Sequence, residues 1–443
     1  MSFTAVQPTT LHRERLDCDR SPHEVLGALR GQPWPFALTG RWAGGGAIVG
    51  SAPLVVADPG SDPFATLDAL PPLGGRYPEG AVGGGWFGWL GYRLGRRIER
   101  IRPGPPRPVP LPEFHLAYYD HVLRLDPDGQ WWFEALVSPG RLESLGRRRD
   151  DLVRAINCEE GDAAYDPPAP FRLTRADREH HLRAVQECRQ RIAAGEIFQA
   201  NICLRLETRW SGEPTQLYSK ALGCLAPDYG AAFRTPWGGV ASLSPELFLR
   251  RVGTDVVTAP IKGTVARAHG SDQGLDVLRQ SSKDAAEHVM IVDLMRNDLG
   301  RVCEYGSIEA PLLPDAEAHP GVWHLVSRVR GRLRADARDR DLLRATFPPG
   351  SVTGAPKVQA MQVIAELEPT ERELYTGAIG FASPLAGLEL SVAIRTFELC
   401  EGRLWLGAGG GIVADSDPER ELEEALVKAR PLVHAIGSSV HAE

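Results

Sequence analysis

Strand-like and helix-like stretches follow one another irregularly along this chain of 443 residues, and that irregularity constrains its fold more than any other feature. A doubly wound parallel sheet needs a repeating strand–helix–strand rhythm. The rhythm is missing here, which argues for an α+β fold. Period-two alternation marks strands near His121–Leu125 and Trp131–Leu136. Glycine clusters at Gly44–Gly46 and Gly83–Gly85 read as turns between short strands. Two proline-rich stretches stand out, RPGPPRPVPLP from Arg102 to Pro112 and DPPAP from Asp166 to Pro170. Proline fixes φ and lacks a backbone donor, so neither belongs inside a helix or a central strand. The second stretch divides an N-terminal region, residues 1–165, from a larger one, residues 170–435.

Beyond that break, Arg175–Gly195 reads as a helix with Leu182, Val185, Cys188, Ile192 and Ala193 on one face. Ile197–Glu207 reads as a strand, and Val240–Arg251 with Gly253–Ile261 as a strand pair. Asp284–Leu299 reads as a helix whose apolar stripe is Val289, Val292, Met295 and Leu299. Trp323–Arg334 reads as a strand or part of one, Lys357–Leu367 as a helix, and Gly377–Phe381, Leu390–Phe397 and Leu404–Gly407 as strands. Pro418–Leu432 is the closing helix, with Asp417 placed to cap it and proline at its first position. Trp86, Trp89, Trp131 and Trp132 are expected in packing.

A net charge of −7 argues against a nucleic-acid footprint. No apolar run reaches the roughly 18 residues of a membrane span, and the first thirty residues lack the apolar core of a signal peptide. Seven scattered cysteines without a CxxC pair argue against a disulfide framework or zinc site and fit a reducing cytoplasm. Only five of the fifty cationic residues are lysines: Lys220, Lys262, Lys283, Lys357 and Lys428. A lysine in so arginine-rich a chain draws notice, because arginine cannot serve as a neutral nucleophile.

Four features could carry chemistry. Asp284 and Glu287 share one helix face, as do Glu421 and Glu424. If the two helices met, their carboxylates would need a hard cation such as Mg²⁺. Acidic residues early in a helix also complement its dipole, and Glu424 can pair with Lys428 at i, i+4. Lys262, in PIKGT, is a nucleophile or base if desolvated, and an ordinary strand-end lysine if not. The glycine-rich FPPGSVTGAPK and GAGGGIVADS segments could present N–H groups to an anion or form plain turns; neither is a Walker P-loop. Arg395, between apolar neighbours in SVAIRTF, calls for a carboxylate partner from the protein or from a ligand. His288 and His324 fit structural roles as readily as chemical ones.

SPELFLR, PIKGT, KDAAEHVMIVDLMRNDLGRV, FPPGSVTGAPK, YTGAIGF, AIRTF and GGGIVADSDPERELEEALVKA occur in this order from about Arg175 to Pro431. Together they resemble the chorismate-utilising enzymes. The resemblance implies a large antiparallel β-sandwich core with helices packed on the outside and with both portions of the chain interwoven. Residues 1–165 resemble the N-terminal domain of the anthranilate-forming members, and residues 170–435 would be the chorismate-binding catalytic domain. It implies Mg²⁺ held by Glu287 and Glu424, with Asp284 and Glu421 behind through water; most relatives have glutamate where Asp284 stands. It implies that Arg395 and Tyr375 grip the enolpyruvyl carboxylate, with Gly409 and Gly411 adding backbone donors. Ser351 and Lys428 match positions near the ring carboxylate and metal, and His324 matches a histidine beside the reacting ring.

Within the family, PIKGT is the pattern of members that replace the 4-hydroxyl of chorismate with an amino group, on the way to p-aminobenzoate and folate. Anthranilate-forming members usually have alanine where Lys262 stands. By resemblance, Lys262 attacks C2 and expels the C4 hydroxyl, Glu246 assists the departure as general acid/base, and ammonia then displaces the lysine. Gln199 occupies the place of the basic lysine in water-adding members, which fits ammonia as nucleophile. No segment resembles GxCxGxQ, so the resemblance implies a separate glutamine amidotransferase subunit in the cytoplasm. No LLES-like segment is present, so tryptophan feedback is not expected. The alternatives are amination at C2 to anthranilate, the same C4 amination in secondary metabolism, and an inactive scaffold that only binds the glutaminase.

Overall fold

The computed structural model describes residues 9–108, 111–158, 164–266, 282–311, 314–319 and 322–442. Two large sheets and one small one organise them. The first has thirteen strands and the second eight; Ile261–Ala266, Val322–Val326 and Asp315–His319 form the third. Among the described strands, pairing is antiparallel except where Val440–Ala442 runs parallel to Phe171–Leu173.

The two large sheets face each other across an aromatic core. Phe36 and Phe233 of the first sheet meet Phe87, Tyr119 and Phe381 of the second. Strands from both parts of the chain interleave: Gly85–Leu90 lies between Phe114–Tyr119 and Ala378–Ser383. Every residue of GWFGWL from Gly85 to Leu90 is buried, because both faces of this strand are covered. Gly88 is required there: at φ +154, a Cβ would come within 1.8 Å of the His115 carbonyl oxygen.

Helices cover both outer faces, as the resemblance implies. Pro22–Ala28, Leu142–Asn157, Pro214–Leu222 and Pro418–Ala435 pack on the thirteen-stranded sheet. Pro63–Asp68, Ser282–Gly300 and Asp339–Thr346 cover the eight-stranded one. Asp417 caps the closing helix by accepting from the Arg420 N–H at 3.1 Å, and the helix continues past Pro431 to Ala435. In Ser282–Gly300 the buried stripe is His288, Ile291, Val292, Met295 and Leu299, a regular i, i+3, i+4, i+7 series. Val289, expected on that stripe, falls outside it and is 62% exposed.

Three expected strands are each two strands in different sheets. Val240–Arg251 divides into Gly238–Ser244 of the large sheet and Leu247–Val252 of the second. Leu390–Phe397 divides into Gly387–Val392 and Thr396–Cys400, again one per sheet. Trp323–Arg334 divides into Val322–Val326 and Val329–Arg332. In the Leu390–Phe397 case the apolar run persists across the switch, because both sheets bury their strands. The seven cysteines are unpaired. Among the described residues no helix is long and apolar enough to cross a membrane.

Candidate active site

The switch points between sheets place the chemistry. Glu246 stands in the first, where Ser-Pro-Glu leaves the large sheet and Pro245 can give no ladder hydrogen bond. The Ser244 hydroxyl donates to the Val392 carbonyl at 2.7 Å and accepts from the Glu246 N–H at 3.3 Å. Arg395 stands in the second, at φ +52. The two crossovers are stitched together: Val392 N–H donates to the Glu246 carbonyl at 3.0 Å, and Leu243 N–H to the Arg395 carbonyl at 2.9 Å.

Lys262 follows a third switch, at Pro260, where the chain passes from Asp255–Ala259 into the three-stranded sheet. The pairing with Val322–Val326 shifts register between Lys262 and Thr264, and Gly263 at φ +72 supplies the bulge. Bulges re-aim a side chain, and here the lysine is turned inward. Its side chain is 13% exposed; Nζ donates to the Ser351 carbonyl at 3.3 Å and lies 4.0 Å from Glu287. Burial lowers its proton affinity, against the opposing pull of Glu287 and Glu246. Glu246 is 4% exposed, and burial pushes its pKa up to about 7 despite Ser351, Lys262, the Ile261 N–H and Arg395. Burial thus disfavours the charged form of both the amine and the acid.

Arg395 makes no ion pair or side-chain hydrogen bond with a described residue; Glu246 and Asp228 act on it only at longer range. Asp228 is held by Arg41 at 3.2 Å. Of the two partners the sequence left open, the described residues supply no carboxylate at contact distance. Tyr375 is buried with its hydroxyl 3.7 Å from the Cys203 thiol, at the wall of a 1240 Å³ cavity that His181, Glu368 and Arg372 also line. Neither Lys262 nor Glu246 lines that cavity. His324 is 1% exposed on the strand beside Lys262, opposite Thr264. His288, which the sequence left between a structural and a chemical role, is buried next to Glu287 and bonds Ser327. The Lys262 charge reaches it, and burial brings its pKa down to about 4.

Arg403–Ile412 pairs with Gln199–Arg209 along its whole length, but Thr396–Cys400 covers its other edge only as far as Leu406. The Gly409 carbonyl accepts from Lys428 Nζ at 3.1 Å. In a strand the N–H and C=O of one residue point the same way. Gly409, and two residues on Gly411, therefore direct their N–H groups toward the open edge. A Cβ on Gly411 would meet the Gln199 amide at 1.8 Å, and one on Gly407 the Tyr375 ring at 2.4 Å, so both side chains need these glycines.

Glu424 pairs with Lys428 at 2.8 Å, the i, i+4 contact, with both about half exposed. Glu421 accepts from the Ser416 hydroxyl at 2.6 Å. Their free space is shared: a Cβ on Gly410 would lie 3.2 Å from Glu421 Oε2 and 3.6 Å from Glu424 Oε1. Glu287 and Glu424, from different helices, both act on Lys262. The Asp284 side chain lies outside the described residues. Among the described residues no three His, Cys, Asp or Glu side chains converge closely enough to hold a metal ion. The donor type and the glycine-lined gap suit a hard divalent cation with water in its shell.

The profile of the family described as chorismate binding enzyme matches residues 44–434. Aminodeoxychorismate synthase component 1 of Salmonella typhimurium is 35% identical over 386 residues, covering 84% of this chain and 80% of that protein. Anthranilate synthase component 1 of Streptomyces coelicolor is 35% identical over 462 residues, covering 96% and 88%. The crystal structure of anthranilate synthase component I from Streptococcus pneumoniae superposes with a TM-score of 0.76 at 25% identity, covering 97% of this chain and 93% of that one.

Proposed function

Because this chain belongs to the chorismate binding enzyme family, we propose that it aminates chorismate at C4, giving 4-amino-4-deoxychorismate, with Lys262 as a transient covalent nucleophile. The observation that carries this reading is the Lys262 amine itself, 13% exposed and within 4.0 Å of Glu287. The neutral amine adds to C2 of the ring. The allylic electrons shift and the C4–O bond breaks, with the oxygen taking the Glu246 proton and leaving as water. Ammonia then adds at C4, the C2–N bond breaks to return the neutral Lys262 amine, and the proton that the new C4 ammonium loses restores Glu246.

Glu287 and Glu424, with Glu421 and Asp284 behind, would hold Mg²⁺, which supplies charge neutralisation for the ring carboxylate. Arg395, without a carboxylate from the described residues at contact distance, suits the enolpyruvyl carboxylate, with Tyr375, Gly409 and Gly411 as further donors and Lys428 near the ring carboxylate. The relatives called component 1 carry to this chain the expectation of a second component, a glutaminase that supplies ammonia.

A second reading, amination at C2 to anthranilate, draws on the equal identity of the Streptomyces coelicolor relative. One assay separates them. The chain is incubated with chorismate, Mg²⁺ and an ammonium salt, with and without aminodeoxychorismate lyase. p-Aminobenzoate that forms only with the lyase is expected; anthranilate fluorescence without it overturns the C4 reading.

A further inference from the structure

The Gly350–Val352 turn sits between the two proposed reacting groups and is fixed from several sides. The Thr353 hydroxyl donates to the Pro349 carbonyl at 2.8 Å, and Arg372 donates to the Val352 carbonyl at 3.1 Å. Asn201 N–H donates to the Thr353 carbonyl at 2.9 Å. A Cβ on Gly350 would lie 2.5 Å from Met295 and 2.7 Å from Leu294, so the helix bearing Glu287 rests directly on the turn. Ser351, at its centre, is 7% exposed. Its carbonyl accepts from Lys262 Nζ at 3.3 Å, and its hydroxyl donates to Glu246 Oε1 at 2.5 Å.

A hydroxyl has one hydrogen to give. In this structure Glu246 receives it, so the Ser351 side chain has no donor left for a substrate carboxylate. A carboxyl, in turn, places its single proton on the oxygen that is not already accepting a short hydrogen bond. Resting on the reading of Glu246 as the acid, we propose that Ser351 is a positioning residue. Its hydroxyl occupies Glu246 Oε1, so that the transferable proton is carried on Oε2 for delivery to the departing hydroxyl. When that proton moves to the C4 oxygen, the C4–O bond breaks and water leaves; the carboxylate that remains is still held at Oε1. This role differs from the family match, which puts Ser351 beside the ring carboxylate and metal.

The test compares Ser351→Ala and Ser351→Thr with the wild type in the chorismate, Mg²⁺ and ammonium assay, reading whichever aminated product forms. Ser351→Ala is expected to lower kcat by roughly tenfold to a hundredfold, the scale of a misoriented catalytic group, with KM for chorismate and the Mg²⁺ half-saturation unchanged. Ser351→Thr keeps the hydroxyl and is expected to restore kcat to within about threefold. A raised KM or Mg²⁺ requirement at unchanged kcat overturns the proposal and puts the hydroxyl on substrate or metal. Equal losses in both variants also overturn it, since packing rather than the hydroxyl then matters. Thermal melts of all three proteins identify a folding defect, and the threonine variant decides the question if the alanine variant does not fold. Anthranilate from the wild type would remove the C4 reading and leave the Ser351 comparison standing.

Discussion

Lys262 and Glu246 share one buried space, and burial drives their proton affinities toward each other: the amine down, the carboxyl up to about 7. The sign of the pH dependence follows. Glu246 keeps its proton below about pH 7 and loses it above. If that proton leaves with the C4 hydroxyl, ring-adduct formation in single turnovers without ammonia falls as pH rises through about 7. Glu246→Gln is expected to slow this step by about 10²–10⁴-fold and to abolish the alkaline decline. A glutamine variant with the same alkaline decline would assign the titration to another group. Lys262 was conspicuous in the sequence because lysines are so few. The bond from Ser351 to Glu246 was not legible there, since it joins residues 105 positions apart. Nor was the burial of His288, whose partner Ser327 lies 39 positions away in the link between two strands.

At the scale of elements, the four helices read from the sequence form, whereas Pro22–Ala28, Pro63–Asp68, Leu142–Asn157, Pro214–Leu222 and Asp339–Thr346 went unread, and so did the sheet switches. Lys357–Leu367 forms over the expected residues, and the Asp417 cap holds, because propensity and capping are local signals. The break at Pro245 carries a local sign in its proline. The break at Ala393–Arg395 carries none: no glycine or proline marks it, and only the left-handed backbone of Arg395 reveals it. Hydrophobic alternation reports burial and does not say in which sheet a strand lies. The glycine-rich strand Arg403–Ile412 is a case where the sequence left two readings, turn or anion cradle, and the structure gives a strand with one open edge. Its Gly410 allows a direct check of the acidic cluster. Gly410→Ala places a methyl 3.2 Å from Glu421 Oε2 and 3.6 Å from Glu424 Oε1. Half-saturation by Mg²⁺ is expected to rise about tenfold or more, the scale for disturbed metal surroundings, with the melting temperature little changed. An unaltered Mg²⁺ titration would take these two carboxylates out of the metal site.

In the whole molecule, the proposed reaction occupies the seam where three sheets exchange strands. Glu246 and Arg395 lie where the chain passes between the two large sheets, and Lys262 where it enters the small one. Hydrogen bonds between the first two crossovers, and the Gly350–Val352 turn beside the third, tie these residues to the rigid aromatic core rather than to loops. Such support is what a site needs to hold an amine and an acid in register across a ring. The central claim is that Lys262 bonds to that ring, and intact-protein and peptide mass spectrometry test it most directly. The chain is mixed with chorismate and Mg²⁺ in the absence of ammonia and quenched rapidly. A mass increase equal to chorismate less water is expected, mapped to Lys262 and absent in Lys262→Ala. Turnover to aminodeoxychorismate by Lys262→Ala at the wild-type rate, with no adduct on Lys262 in the wild type, would contradict it.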